Sequence, residues 1–159
     1  MTLNIVLVEP EIPHNTGSIA RTCALTGTSL HLVRPLGFSV SDKYLKRSGL
    51  DYWHLVDIHY YDSFDEVIET FPEGNFYYAT TKTENKYSDF NYSDNTFFVF
   101  GKETKGLPED LIEKNKDYAI RIPMKPIGRS LNLSNSANII IHEYIRTVNY
   151  FPASNLHLF

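Results

Sequence analysis

Residues 96–108 read TFFVFGKETKGLP, from Thr96 to Pro108. Thr96 to Phe100 is a short run of β-branched and aromatic residues, the pattern of a strand buried on both faces. Strands of that kind belong to parallel sheets with both surfaces covered. Gly101 to Gly106 has the look of a phosphate loop but fails as one. In that motif Lys and Ser/Thr directly follow the second glycine, and here Leu107-Pro108 follow. Pro108 is expected at the first position of a short helix reaching about Lys114.

Working outward, further strands alternate with helices. Leu3 to Val8 (LNIVLV) is a buried strand ended by Glu9-Pro10. Glu9 to His14, with two prolines, is expected as loop. Asn15 is expected to cap a helix over Thr16 to Leu25, with Gly27 as its stop. Leu30 to Val33 is a second strand, closed by Pro35. Ser41 to Ser48 looks helical. Leu55 to Tyr60 and Asn75 to Thr80 are further strands, and Asp62 or Ser63 caps a helix between them that runs to about Phe71. Lys82 to Asn95 is polar and irregular. Tyr118 to Ile122 is the last strand, and a loop rich in Pro, Gly and basic residues leads to a helix from about Leu133 to Asn149. Leu133, Ala137, Ile140, Ile141, Tyr144, Ile145 and Val148 share one face of it. The alternation predicts an α/β fold, a single domain over residues 1–159 with a mostly parallel sheet and helices on both faces. Ligands of such sheets bind beyond the carboxyl ends of the strands. The unusual segments stand at those ends: 9–17, 101–108 and 123–132.

Composition narrows the class. The chain has 159 residues, a formal charge of -4 and one cysteine, Cys23. A lone cysteine makes no intramolecular disulfide, which fits a reducing compartment. No apolar run approaches a membrane span, and no charged leader precedes the first strand, so a cytoplasmic, soluble protein is expected. Cys23, among apolar neighbours, is expected as a small buried hydrophobe. The acidic balance argues mildly against nucleic acid, although net charge says nothing of a local basic patch. There is no G-x-G-x-x-G after the first strand, no G-x-S-x-G elbow around Ser130, and no His or Cys spacing suited to zinc.

Three segments exceed what packing requires: EPEIPHNTGSIAR (9–21), FVFGKETKGLP (98–108), and IRIPM (120–124) followed by GRSLNLSNSA (128–137). Together, in this order and at strand ends, they resemble the three motifs of the SPOUT superfamily in its ribose 2′-O-methyltransferase branch. The similarity runs over nearly the whole chain. The short length and the opening LNIVLVEPEIPHNTG look most like members acting on the tRNA wobble position. The resemblance implies a C-terminal trefoil knot, S-adenosylmethionine as methyl donor, no metal, and a homodimer in which each site borrows groups from its partner. It implies 2′-O-methylation of the wobble nucleotide, cytidine or carboxymethylaminomethyluridine, in the tRNA anticodon stem-loop.

Residue by residue, the resemblance places Ala79, Thr80, Gly101, Ile122, Met124, Ser130 and Leu131 around the donor. It assigns the catalytic set to Arg21, Asn15, Glu103 and Asn132. Arg21 matches the proposed base or activator, yet a guanidinium with a pKa above about 12 is a poor base. Clamping phosphate and polarising the hydroxyl suits it better. Glu103 is expected to hold Arg21 or a backbone amide, and Asn132 to brace the loop. RNA contact is expected from Lys43, Lys46, Arg47, Lys102, Lys105, Lys125, Arg129 and Arg146, gathered across a dimer. The rival readings are the same chemistry on another tRNA site or on ribosomal RNA, a donor-binding protein that docks on RNA or ribosomes without methylating, and an unrelated α/β binding domain.

Overall fold

The computed structural model describes residues 2–41, 43, 45 and 52–148. Six strands form one sheet: β1 (Leu3–Val8), β2 (Ser29–Val33), β3 (Ile58–Tyr61), β4 (Asn75–Ala79), β5 (Thr96–Phe100) and β6 (Ala119–Ile120). Their order across the sheet is β3-β2-β1-β5-β4-β6, and every pairing is parallel. Among the described residues, helices α1 (Pro13–Thr26), α2 (Phe64–Thr70), α3 (Glu109–Lys114) and α4 (Leu133–Val148) accompany them. The strand order reverses between β1 and β5, so the loops after these two strands part around a crevice at the carboxyl edge.

Helices cover both faces. Leu3, Ile5 and Leu7 of β1 join Ile19, Ala20 and Cys23 of α1 and Leu133, Ala137, Ile140, Ile141 and Tyr144 of α4 on one side. Val6 and Val8 join Val67 of α2 and Ile112 of α3 on the other. The alternation follows from the two-residue period of a strand. TFFVF is buried at all five positions, as its composition predicts. Tyr144 is fully buried, and its hydroxyl donates to the Ser93 carbonyl, so the apolar stripe of α4 carries its one polar tip into a bond. Burial pushes the Cys23 thiol far above the usual cysteine range, as expected of an inert, packed thiol.

Several boundaries differ from expectation. α1 begins at Pro13, with Ile12 at its N-cap and no side-chain capping bond, so Asn15 is not the cap and Pro13-His14 are not loop. Pro13 at the first position lacks an N–H that would have had no partner anyway. Gly27, at φ 69°, ends the helix in the left-handed conformation that glycine adopts without a Cβ penalty. Pro108 is the N-cap of α3 rather than its first residue. β3 starts at Ile58, three residues later than its apolar run, and β6 is only two residues long. The segment 82–95 is irregular apart from one 3₁₀ turn at Tyr87–Asp89. Most of the helix expected over 41–48 lies outside the described residues.

A small polar cluster sits inside the second face. His31 is 1% exposed; its Nε2 lies 3.0 Å from Asn4 Oδ1 and its Nδ1 2.9 Å from the Tyr61 hydroxyl. Asn4 Nδ2 donates to the Thr96 carbonyl, so Asn4 Oδ1 is the acceptor and His31 Nε2 carries the proton. Burial, with His59 stacked beside it, lowers the His31 pKa to about 4 from an ordinary 6.5. The unfolded chain therefore binds the proton more readily, and stability is lost as pH falls from about 6.5 to about 4. We expect wild type to lose about 2–3 kcal/mol more than His31→Gln between pH 7 and pH 4.5 in urea unfolding. Parallel losses would contradict this role.

Candidate active site

The loops after β1, β4, β5 and β6 leave the same edge of the sheet and surround a cleft of about 430 Å³. That is enough for a nucleoside-sized ligand. All seven residues assigned to the donor line it: Ala79, Thr80, Gly101, Ile122, Met124, Ser130 and Leu131. Leu107, Ile112, Leu133 and Ile140 add apolar wall, and Lys82, Arg121 and Glu109 add charge. Apolar side chains between strand ends can sandwich a flat heterocycle, while carbonyls and amides at those ends read its edge. The residues present therefore fit an adenosine-type donor.

Gly101 fixes the shape of one wall. A Cβ there would lie 2.0 Å from the Gly106 carbonyl carbon and 2.2 Å from Leu107 N. Both neighbours are backbone, so they cannot step aside. The turn is closed by Gly106 N donating to the Lys102 carbonyl at 2.7 Å, with Gly106 at φ 69°. Two glycines thus let residues 102–107 fold back tightly against the end of β5.

Glu103, Asn15 and Asn132 come together from three loops. Glu103 Oε2 accepts from Glu11 N at 2.8 Å, and its Oε1 accepts from Ile12 N at 3.1 Å and from Asn15 Nδ2 at 3.3 Å. Asn132 Nδ2 donates to Asn15 Oδ1 at 3.0 Å. Asn132 Oδ1 accepts from Ser134 N, the Ser134 hydroxyl and Asn135 N, and so caps α4. Of the two roles expected for Glu103, the carboxylate takes the amide one. Its oxygens are occupied by the amino end of α1, where a negative charge is favoured. With both oxygens engaged it acts as a brace. Glu11 and Thr104 also belong to this junction and were missed. A carboxylate and a hydroxyl 93 residues apart leave no local signal.

Arg21 is not among these groups. It is exposed on α1, and its guanidinium carbon lies 4.9 Å from the centroid of the Tyr52 ring. Six residues along a helix separate it from Asn15 by about 9 Å and turn it about 120° away. Within one chain Arg21 does not line the cleft. The basic residues divide similarly. Lys102, Lys105 and Arg129 line the cleft, with Lys102 Nζ 3.8 Å from Glu9 Oε1. Lys43 and Lys125 are exposed away from the lining. Arg146 makes two bonds to Glu143, at 3.0 and 2.8 Å, and is not part of the cleft. Lys46 and Arg47 lie outside the described residues. No group of three or more His, Cys, Asp or Glu suited to a metal occurs among the described residues, and no helix of theirs is long and apolar enough to cross a membrane. We expect Gly101→Ala to abolish ligand binding in the cleft while leaving the far-ultraviolet circular dichroism close to wild type. An alanine variant that binds normally would show that the tight turn is dispensable.

Comparison with known proteins agrees with this geometry. The SpoU rRNA Methylase family matches residues 2–142. A Bacillus subtilis relative, named as a candidate tRNA (cytidine(34)-2′-O)-methyltransferase, is 52% identical over 153 residues, covering 94% of this chain and 96% of the relative. The crystal structure of a candidate RNA methyltransferase from Bacillus anthracis superposes with a TM-score of 0.89 at 54% identity, covering 98% of this chain and 99% of that one. A second solved structure, described in terms of the 2-OH methylation of C/U34 on tRNA, gives a TM-score of 0.88 at 38% identity, covering 93% and 97%. With the family matched over residues 2–142 and the cleft formed by the loops that carry the three motifs, this chain belongs to the SpoU methylase family.

Proposed function

We propose that this protein transfers a methyl group from S-adenosylmethionine to the 2′-oxygen of the wobble nucleotide, cytidine or a modified uridine, in the tRNA anticodon stem-loop. The observation that carries this reading is the single cleft into which the three motif loops converge. The named activity of the 52% identical relative, and the C/U34 chemistry described for the 38% identical structure, set the substrate. The donor supplies an electrophilic methyl on a sulfonium. Ile122, Leu131 and the 101–107 turn would hold the donor, and the transfer requires the acceptor oxygen in line with the methyl at near-attack distance.

The acceptor hydroxyl must lose its proton or be strongly polarised. In this reading Arg21 clamps phosphate and polarises that hydroxyl, and it does so in the cleft of a second copy. Its orientation on α1, away from its own cleft, supports a homodimer with shared sites. Lys102, Lys105 and Arg129 at the cleft, together with Lys43, Lys46, Arg47, Lys125 and Arg146, are proposed to follow the RNA backbone. The reading includes a trefoil knot in a single domain over residues 1–159. It is supported by the strap of residues 83–87, which bonds across Arg121 through Arg121 N to the Asn85 carbonyl and Tyr87 N to the Arg121 carbonyl. It is supported also by the chain leaving edge strand β6 and reaching α1 at Asn132, whose Nδ2 donates to Asn15 Oδ1. The enzyme is proposed to work in the cytoplasm without a metal.

The test uses methyl-labelled donor and unmodified tRNA, followed by mapping of the labelled nucleotide. The expected product is a 2′-O-methylated position 34. Label on a base, on another tRNA position, or only on ribosomal RNA would overturn the reading. Arg21→Lys keeps the charge but loses the planar fork, and should lower turnover at least about tenfold. Undiminished turnover by that variant would rule out the clamp.

A further inference from the structure

We propose that Glu11 is a positioning residue for the donor, holding the cleft wall formed by residues 102–107 from behind. The inference rests on the reading of the cleft as the donor site. Glu11 does not line the cleft, whereas every residue from Lys102 to Leu107 does. Glu11 Oε1 accepts from Thr104 N at 3.0 Å and from the Thr104 hydroxyl at 2.7 Å. In return Glu11 N donates to Glu103 Oε2 at 2.8 Å. The loop after β1 and the loop after β5 thus each place a carboxylate on the other's backbone. The clasp has a fixed anchor. Gly37 N donates to the Pro10 carbonyl at 2.9 Å, and a Cβ at Gly37 would meet Glu11 Cα at 2.7 Å.

The arrangement works against local preferences. It gathers Glu9, Glu11 and Glu103 in one small junction, balanced by Lys102 and Lys105. Glu9 also holds φ at 53°, a left-handed backbone that non-glycine residues rarely adopt. Strain and like charge of this kind gather where a site demands a fixed shape. The two Thr104 bonds hold the Glu11 carboxyl below its ordinary pKa of 4.5, so it is ionised and purely an acceptor at neutral pH. Releasing Thr104 would free residues 102–107 to sample positions in which the donor cannot be gripped. The cost falls on donor affinity and not on the chemical step.

The experiment measures donor KM, kcat and direct donor binding for wild type, Glu11→Ala, Glu11→Gln and Thr104→Val. Glu11→Ala should raise donor KM about tenfold with kcat changed less than about threefold, in keeping with loss of hydrogen bonds to a charged acceptor. Glu11→Gln, whose side-chain carbonyl still accepts from both Thr104 groups, should stay within about threefold of wild type. Thr104→Val should raise donor KM about threefold alone and add nothing in the Glu11→Ala background. An unchanged KM in Glu11→Ala, a fall in kcat alone, a Gln variant as impaired as Ala, or additive effects of the two sites would overturn the proposal. If wild type fails to bind the donor, the reading of the cleft itself falls. If wild type binds and Glu11→Ala binds equally, only the role of Glu11 falls.

Discussion

Asn15 is 3% exposed, and its carboxamide uses both ends on neighbours from distant parts of the chain. The amide nitrogen donates to Glu103 and the oxygen accepts from Asn132, 88 and 117 residues away. A carboxamide alone among small side chains offers a donor and an acceptor in one plane, so no isosteric residue serves both partners. The loops after β1, β5 and β6 are therefore held in one register by a single side chain. Buried polar networks of this kind are stable only when every member is satisfied. Here Glu103 and Asn132 pass the bonding on to the amino ends of α1 and α4, where open N–H groups await partners. The cleft inherits its shape from that joint and from the parallel sheet that brings the strand ends to one edge.

The same joint explains a division of labour among polar groups. Glu103 and Asn132, expected at the reacting centre, are consumed in holding walls. What remains to face a ligand is mostly backbone and apolar surface, with Lys105, Arg121 and Arg129 around it. That is suited to gripping a heterocycle and drawing in an anion, and poorly suited to acid–base chemistry by a carboxylate. In the proposed reading the activating group comes from a second copy, and Arg21, stacked on Tyr52 and exposed on α1, is the side chain assigned to that role.

The strands were legible because burial on both faces selects continuous apolar runs such as LNIVLV and TFFVF, and five of the six described strands begin and end within about two residues of expectation. Residues 58–61 were less so, because Leu55 and Val56 extend the apolar pattern without pairing. The start of α1 was misread because Asn15 has the chemistry of a cap, while Pro13 can open a helix unaided. The residues that the resemblance assigns to the donor, Gly101, Ile122, Met124, Ser130 and Leu131 within the second and third motifs and Ala79 and Thr80 after β4, all line one cleft. The order of the strands, the outward azimuth of Arg21, and the Glu11–Thr104 clasp were not legible in the sequence. The strand order and the clasp depend on pairings between residues distant in sequence, and the direction of Arg21 depends on how α1 sits on the sheet, about which local periodicity carries no information. The basic set was read by charge alone, which cannot tell Arg129 at the cleft from Arg146 held by Glu143.

The most direct measurement is calorimetric titration of S-adenosylmethionine into the wild-type protein and into Asn15→Asp. Aspartate matches the volume of asparagine but cannot donate to Glu103, and it sets two carboxylates against each other. The joint described here predicts donor binding by wild type and a loss of at least about tenfold in the variant, with the thermal unfolding of α1 and α4 also less cooperative. Equal affinity in the two proteins would contradict the claim that this carboxamide holds the cleft together.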